Sequence, residues 1–234
     1  MAASGNVGVV FVSHSGRIAE GLVELARQMA PSARLIAAGG TDDGRIGTSF
    51  DLVSAAIADA DSGGGVAVLC DLGSAILTAE TALDFLEDEV RARVHIVDAP
   101  LVEGGVAAAV AAEAGETLEQ VVAAAESARG VALPSEGAPA ASAAQASTPP
   151  ALSRTVTLVN ADGLHARPAA ELVKLASTFS QRVTVNGTDA KSLLGIMSLG
   201  LTKGATVEIA SEDPEGLAAV EAIAALAESG FGEH

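Results

Sequence analysis

The chain has 234 residues and a formal net charge of −17, which argues against binding to nucleic acid or to an anionic membrane surface. Apolar residues make up 49%, but the five Phe stand without Trp or Tyr, so no aromatic platform for stacking bases is expected. Cys70 is the only cysteine, which excludes an intramolecular disulfide. The first residues lack the basic segment and long apolar run of a signal peptide or membrane span, so a cytoplasmic protein is predicted.

Residues 5–130 predict an α/β domain with an open, mostly parallel sheet and helices on both faces. The expected strands are short apolar runs, at residues 7–12, 33–38, 66–70 and 94–97, and helices of ten to fifteen residues separate them. Pro31 ends the first helix, which is expected to turn its apolar face inward through Ile18, Leu22, Leu25, Ala26 and Met29.

Polar residues follow three of these strands. His14 follows the first, Gly39 and Gly40 follow the second, and Asp71 follows the third. Ligands of open parallel sheets bind outside the carboxyl ends of the strands, so these residues are expected to converge on one site. A carboxylate bonded to one ring nitrogen would make the other more nucleophilic, which suggests that Asp71 orients His14. Taken singly, His14 could be an inconsequential loop residue and Asp71 a helix N-cap.

Residues 131–151 are rich in Ala, Pro and Ser and predict a linker, and residues 152–234 predict a second domain. Its expected order is βαββαβα, with an Asn186-Gly187 hairpin and a last helix that begins at Asp213-Pro214. This order predicts an α+β domain, an antiparallel open-faced sandwich with its helices on one side of the sheet.

The second domain carries a histidine at the predicted start of a helix. The strand ending at Val159 leads through a turn at Asp162-Gly163 to His165, and Ala169, Leu172, Val173 and Ala176 then share one helix face. A helix N-terminus attracts anions, and the guanidinium of Arg167 suits a phosphate, so His165 could take up a phosphoryl group and pass it on. Simple capping of the helix by His165 is the alternative.

The run GLHARPAA at residues 163–170 and the run DAKSLLGIMSLGLTKG at residues 189–204 resemble HPr, the histidine phosphocarrier of the bacterial phosphotransferase system. The runs FVSHS (11–15), DLGSAILTAETA (71–82) and APLVEG (99–104) resemble the mannose-class enzyme IIA family. Within that family they are most similar to the phosphotransfer subunits of phosphoenolpyruvate-dependent dihydroxyacetone kinases.

The resemblance implies a phosphotransferase whose phosphohistidines are His165 and His14. Enzyme I, charged by phosphoenolpyruvate, would load His165, which would load His14. His14 would then phosphorylate ADP held in the kinase partner subunits that bind ADP and dihydroxyacetone, a reaction of glycerol metabolism. Arg167 would stabilise the transferring phosphate, and Ser13, Ser15, Gly39 and Gly40 would donate hydrogen bonds to it. Because this chain stops at His234, without the enzyme I-like segment of some relatives, enzyme I is expected to act in trans.

The resemblance also implies a homodimer through the first domain. Ser192 matches a regulatory phosphorylation position of some HPr proteins, although an N-cap role accounts for it fully. No metal is expected, since no cluster has ligand spacing, and no cofactor, since no P-loop or Rossmann fingerprint follows the first strand. Two other functions stay open: an enzyme IIA–HPr fusion that serves a mannose-class sugar permease, and a non-enzymatic regulator that reports phosphorylation.

Overall fold

The computed structural model describes residues 5–130, 152–160 and 163–232. The chain divides into two compact units, residues 1–129 and 130–234. The predicted linker, Asp162 of the predicted turn and the terminal His234 lie outside the described residues.

The first unit alternates strands with helices, as the sequence predicts. Its elements in chain order are β1 (Gly8–Ser13), α1 (Gly16–Arg27), β2 (Arg34–Gly39), α2 (Phe50–Ala60), β3 (Val66–Cys70), α3 (Gly73–Asp84), α4 (Asp88–Arg91), β4 (Val94–Val97), α5 (Leu101–Glu113) and α6 (Leu118–Glu126), followed by a 3₁₀ turn at Ser127–Gly130. The one-turn helix α4 has no counterpart in the sequence prediction. All four strands are parallel, in the order β2-β1-β3-β4.

Helices cover both faces of this sheet, which confirms the predicted fold class. On one face, Val10 and Val68 pack in a buried cluster with Val53 and Ile57 of α2 and with small residues of α3. On the other face, α5 lies so close that a side chain at Gly105 would meet Phe11 and Leu22. Because both faces are covered, every residue of β1 is buried, as its continuous apolar run indicates.

The predicted inner face of α1 is partly wrong. Its buried residues are Ala19, Leu22, Val23 and Ala26, whereas Ile18 is 52% and Leu25 45% exposed. The small Ala19 and Ala26 let the helix approach the sheet closely. The buried face of α1 therefore includes these alanines and leaves the bulkier Ile18 and Leu25 at its edge.

The second unit contains β5 (Leu152–Thr157), α7 (Ala166–Ser177), β6 (Thr184–Val185), β7 (Thr188–Asp189), α8 (Leu193–Ser198), β8 (Thr206–Ser211) and α9 (Leu217–Glu228). Its antiparallel sheet has the order β5-β8-β6-β7, which confirms the predicted βαββαβα order. Asn186 and Gly187 form the predicted hairpin turn with positive φ angles of 48° and 80°.

The last helix begins later than the sequence predicts. Asp213 accepts a hydrogen bond from the Glu215 N–H at 2.9 Å, so it closes a separate turn, and Gly216 is the N-cap of α9. Leu217, the first residue of α9, is 52% exposed. Similarly, β5 ends at Thr157 rather than at Val159. Within the described ranges, no helix has the length and apolar character needed to cross a membrane.

Candidate active sites

His14 and Asp71 lie side by side at the carboxyl edge of the parallel sheet. Each is the first residue after a strand, and the two strands, β1 and β3, are neighbours. Their pairing continues one residue further, because the Asp71 N–H donates to the Val12 carbonyl at 3.1 Å. Two side chains that are 57 positions apart in the sequence are thereby placed in contact.

The Asp71 carboxylate is held by four hydrogen bonds. Its Oδ2 accepts from the Ser13 hydroxyl and from the His14 backbone N–H, both at 2.8 Å. Its Oδ1 accepts from the Leu72 N–H at 2.7 Å and lies 2.9 Å from Nδ1 of the His14 ring. Burial alone would raise the pKa of Asp71, but these hydrogen bonds outweigh burial and hold that pKa below its ordinary value of 3.8. Asp71 is therefore ionised at neutral pH.

The ionised carboxylate determines which nitrogen of the neutral His14 ring keeps its lone pair. A carboxylate can only accept, so Nδ1 carries the proton that it shares with Asp71, and in the neutral ring Nε2 keeps the lone pair. The Ser74 hydroxyl lies 2.7 Å from Nε2 and donates to it. The His14 side chain is 21% exposed, so a reacting group can reach this edge of the ring.

Ser74 is a site residue that the sequence reasoning missed. It is the second residue of α3, close behind Asp71 in the run DLGSAI. The only available signal was its position just after the third strand, where the start of α3 shares the sheet edge with His14.

Two of the residues that we expected to bind phosphate make hydrogen bonds within the strand end. Ser13 is fully buried, and its hydroxyl donates to Asp71 and accepts the Ser15 N–H at 3.1 Å. The Gly40 N–H donates to the Ser13 carbonyl at 3.0 Å. These bonds hold the strand end in place, and phosphate binding by Ser13 and Gly40 stays a prediction.

The other two predicted phosphate donors stay predictions. Ser15 is the half-buried N-cap of α1, and its hydroxyl makes no capping bond. Gly39 is the last residue of β2 and pairs with Ser13 in the strand register.

His165 is the N-cap of α7, and its carbonyl accepts the Ala169 N–H at 2.9 Å. The side chain is half-buried and its Nε2 lies in the interior. Arg167, the second helical residue, is exposed on the first turn, where N–H groups have no partner within the helix and the helix dipole is positive. Pro168 is buried in that turn.

The loop before His165 is anchored at Gly163 and Leu164. The Leu164 N–H donates to the Leu201 carbonyl at 2.8 Å, and the buried Asn160 amide donates to the Gly163 carbonyl at 2.7 Å. Gly163 has a φ of +68°, and a Cβ there would lie 2.1 Å from the Leu201 oxygen, so only glycine fits. Asn160 thus positions the His165 loop, a role that its place three residues before Gly163 could have indicated.

Ser192 is the predicted N-cap of α8, with its hydroxyl accepting the Gly195 N–H at 3.2 Å. Cys70 is buried, and burial together with the nearby carboxylates of Asp71 and Glu80 raises its pKa to about 12. Its thiol therefore stays protonated and is no nucleophile at neutral pH. In the part of the chain that the structure describes, no three His, Cys, Asp or Glu side chains are grouped so as to hold a metal ion.

Comparison with known proteins agrees with these two sites. The family described as "PTS system fructose IIA component" matches residues 8–122, and the family "PTS HPr component phosphorylation site" matches residues 152–229. The crystal structure of EF1359, a protein of unknown function, is 38% identical with a TM-score of 0.50, and the match covers 53% of this chain and 95% of that one. The fold and sites therefore define a phosphotransferase-system protein in which an enzyme IIA domain precedes an HPr domain.

Two named relatives identify the family of this chain within the phosphotransferase-system proteins. The phosphoryl donor subunit DhaM of the phosphoenolpyruvate-dependent dihydroxyacetone kinase of Escherichia coli K12 is 39% identical over 243 residues, which is 97% of this chain and 51% of the relative. A DhaM of Listeria innocua, from dihydroxyacetone kinase 2, is 45% identical over 105 residues, 44% of this chain and 84% of the relative. The chain belongs to the DhaM family of phosphoryl donor subunits, and it spans about half the length of the Escherichia coli relative.

Proposed function

We propose that this chain is a phosphohistidine relay. Enzyme I, charged by phosphoenolpyruvate, phosphorylates His165, His165 passes the phosphoryl group to His14, and His14 passes it to ADP held in a dihydroxyacetone kinase partner subunit. The names of the DhaM relatives support the role of phosphoryl donor and the kinase partner. The match of the first unit to an enzyme IIA family and of the second unit to an HPr family supports a histidine carrier in each unit.

The observation that carries the proposal is the position of the His14 ring between Asp71 and Ser74. The Nε2 lone pair attacks phosphorus, a nitrogen–phosphorus bond forms, and the bond from phosphorus to the donor nitrogen breaks. The ring gains positive charge, which the Asp71 carboxylate at Nδ1 stabilises. The Ser74 hydroxyl, no longer needed at Nε2, can turn its proton to a phosphoryl oxygen.

At His165 the transfer uses the other ring nitrogen. Because Nε2 is buried, we infer that the phosphoryl group is carried on Nδ1. The first-turn N–H groups of α7 and the Arg167 guanidinium then face the negative charge of the transferring group.

We further propose a homodimer through the first unit, in the cytoplasm, as part of glycerol metabolism. An exposed aromatic pair at the start of α2 and just after α3 supports the dimer, since Phe50 and Phe85 stack edge to face with ring centroids 5.3 Å apart, and Phe85 is 76% exposed. Sedimentation equilibrium of the wild type and of Phe85→Ser checks this, and a monomeric wild type would contradict it.

The relay is tested by mixing the chain with enzyme I, ³²P-labelled phosphoenolpyruvate, and kinase subunits that hold ADP and dihydroxyacetone. Wild type should acquire acid-labile label and produce dihydroxyacetone phosphate. His165→Ala should block loading of both histidines. His14→Ala should take up label on His165 but deliver none.

The exposed His95 of β4 provides the matched control, because His95→Ala removes an imidazole that belongs to neither proposed site. It should load and deliver like wild type. Label that persists on the His14→Ala/His165→Ala double variant would overturn the proposal.

A further inference from the structure

We propose that Thr48 and Thr78 are positioning residues that hold Ser74 against Nε2 of His14. The inference rests on the proposed role of His14 as a phosphohistidine. It concerns a hydroxyl chain that joins the loop of residues 40–48 to helix α3. The two threonine hydroxyls act on the Ser74 backbone and do not bond to either ring nitrogen of His14.

The loop of residues 40–48 is bonded to the strand end that carries His14. The Gly47 N–H donates to the His14 carbonyl at 2.9 Å, and the Gly40 N–H donates to the Ser13 carbonyl at 3.0 Å. Gly40 and Thr48 also form an isolated parallel bridge, which closes the loop at its base. Gly47 and Thr48 are thereby fixed relative to the His14 backbone.

The same loop reaches α3 through two threonine hydroxyls. Oγ1 of Thr48 lies 2.8 Å from Oγ1 of Thr78, and the Thr78 hydroxyl donates to the Ser74 carbonyl at 3.0 Å. Each hydroxyl has a single proton. Since the Thr78 proton goes to the Ser74 carbonyl, the Thr48 proton must go to Thr78. The chain therefore runs in one direction, from Thr48 through Thr78 to Ser74.

The consecutive residues Gly47 and Thr48 are thus bonded, directly or through Thr78, to the two residues that meet at Nε2, His14 and Ser74. Gly47 holds the backbone of His14, and Thr48 holds the backbone of Ser74 through Thr78. The covalent route from Asp71 to Ser74 passes through exposed Leu72, whose N–H donates to Asp71, and through Gly73, where no atom lies within 4 Å of an added Cβ. The 2.7 Å contact between Ser74 and Nε2 then depends on the threonine chain to limit movement of the first turn of α3.

The test substitutes Thr48→Val in the full chain, which keeps the shape of the side chain and removes the donor. We expect the ¹⁵N resonance of His14 Nε2 to move downfield in the unphosphorylated protein, because its hydrogen bond from Ser74 weakens. We expect the rate of phosphoryl transfer onto His14 to fall roughly fivefold, the effect of one ordinary hydrogen bond. Loading of His165 by enzyme I should not change.

Thr78→Val should have the same effects, and the double variant should be no worse than either single one, since both break one chain. Thr48→Ser, which restores the donor, should restore the resonance and the rate. Thr81→Val is the matched control: Thr81 donates to the Leu77 carbonyl at 2.7 Å, the same bond one turn later in α3, but reaches no loop.

The outcomes separate this inference from the relay itself. A wild-type His14 that acquires no label defeats the relay, whatever the resonances show. Normal transfer and an unmoved Nε2 resonance in Thr48→Val overturn the positioning role and leave the relay intact. An equal loss in Thr81→Val overturns it as well, because the effect would then come from α3 in general.

Discussion

His14 and His165 have the same side chain, yet the proposed relay uses opposite nitrogens of the two rings. Asp71 lies 2.9 Å from Nδ1 of His14, so under the proposal Nε2 carries the phosphoryl group. In His165 it is Nε2 that is buried. Transfer onto Nε2 of His14 needs no exchange of tautomers there, because Asp71 stabilises the ring with its proton on Nδ1.

Asp71→Asn tests the role of the carboxylate. The amide can place its NH₂ group toward His14, which favours the wrong tautomer and removes the charge that stabilises the ring. We expect transfer onto His14 to slow by roughly 10²- to 10⁴-fold, while His165 still loads normally. Rapid-quench measurement of label on each unit checks this, with the exposed Asp59→Asn as the control. A loss of less than threefold would remove Asp71 from the mechanism.

A second aspartate predicts how the stability of the first unit depends on pH. Asp61, at the end of α2, accepts three hydrogen bonds from the guanidinium of Arg93, at 2.7 to 3.1 Å. These bonds outweigh the opposing effect of burial and hold the pKa of Asp61 below its ordinary 3.8. A lowered pKa means that the pair stabilises the fold above 3.8 and loses its effect as the pH falls through the folded value.

We therefore expect Asp61→Asn to lower the free energy of unfolding at neutral pH, by an amount that solvent screening keeps small. The difference from wild type should shrink as the pH falls below 3.8, as urea unfolding at a series of pH values would show. Phosphoryl transfer should not change, since Asp61 lies at the opposite edge of the sheet from His14. A difference that grows toward acid pH would contradict the assigned pKa direction.

At the scale of elements, the first site depends on how closely β2 and α1 meet. A Cβ at Gly39, the last residue of β2, would lie 2.7 Å from the Ser15 carbonyl oxygen and 2.8 Å from Cα of Gly16. The start of α1 therefore rests directly on the end of β2. This close contact holds His14, which lies between β1 and α1, at the sheet edge.

Gly39→Ala should lower the free energy of unfolding of the first unit by about 1–3 kcal/mol, because the added methyl group has no space. It should also slow transfer onto His14. Gly21→Ala is the matched control within α1, where no atom lies within 4 Å of the added Cβ. That change should stabilise the unit by about 0.5–1 kcal/mol, since alanine is the better helix former. Chemical unfolding measures the free energy of unfolding of both variants. A Gly39→Ala variant as stable as wild type would contradict the close packing of β2 and α1.

The elements also show where pattern reading succeeds. The buried strand β3 has the predicted bounds, because an apolar run is a local signal. The burial of Ile18 and the start of α9 were predicted wrongly. Which stripe of an apolar helix packs, and whether Asp213 closes a turn or caps a helix, depends on the neighbouring elements.

At the scale of the whole molecule, the chain is two units, each with its own buried core. Val9, Phe11 and Leu69 are fully buried in the first unit, as Ile209 and Ile223 are in the second. Separate cores predict separate folding, so each unit should need nothing from the other to be stable.

Fragments 1–130 and 131–234 should accordingly each unfold in one cooperative transition by circular dichroism. Mixed together, they should pass label from His165 to His14 at a rate proportional to concentration. In the intact chain, the rate of transfer from His165 to His14 should not depend on protein concentration when the protein is dilute. The linker should give each histidine an effective concentration of about 1 mM at the other. Equal concentration dependence in both cases would show that transfer occurs between chains.

The sequence by itself determined the two domain types, the two histidines and the partnership of His14 with Asp71. These depend on local motifs and on the rule that neighbouring parallel strands end at one edge. Only the tertiary structure brought Ser74 to Nε2 of His14 and joined Thr48 to Thr78. The sequence does not show which partner a hydroxyl or N–H group will bond. That partner depends on distances of a few ångströms between elements that are far apart in the chain.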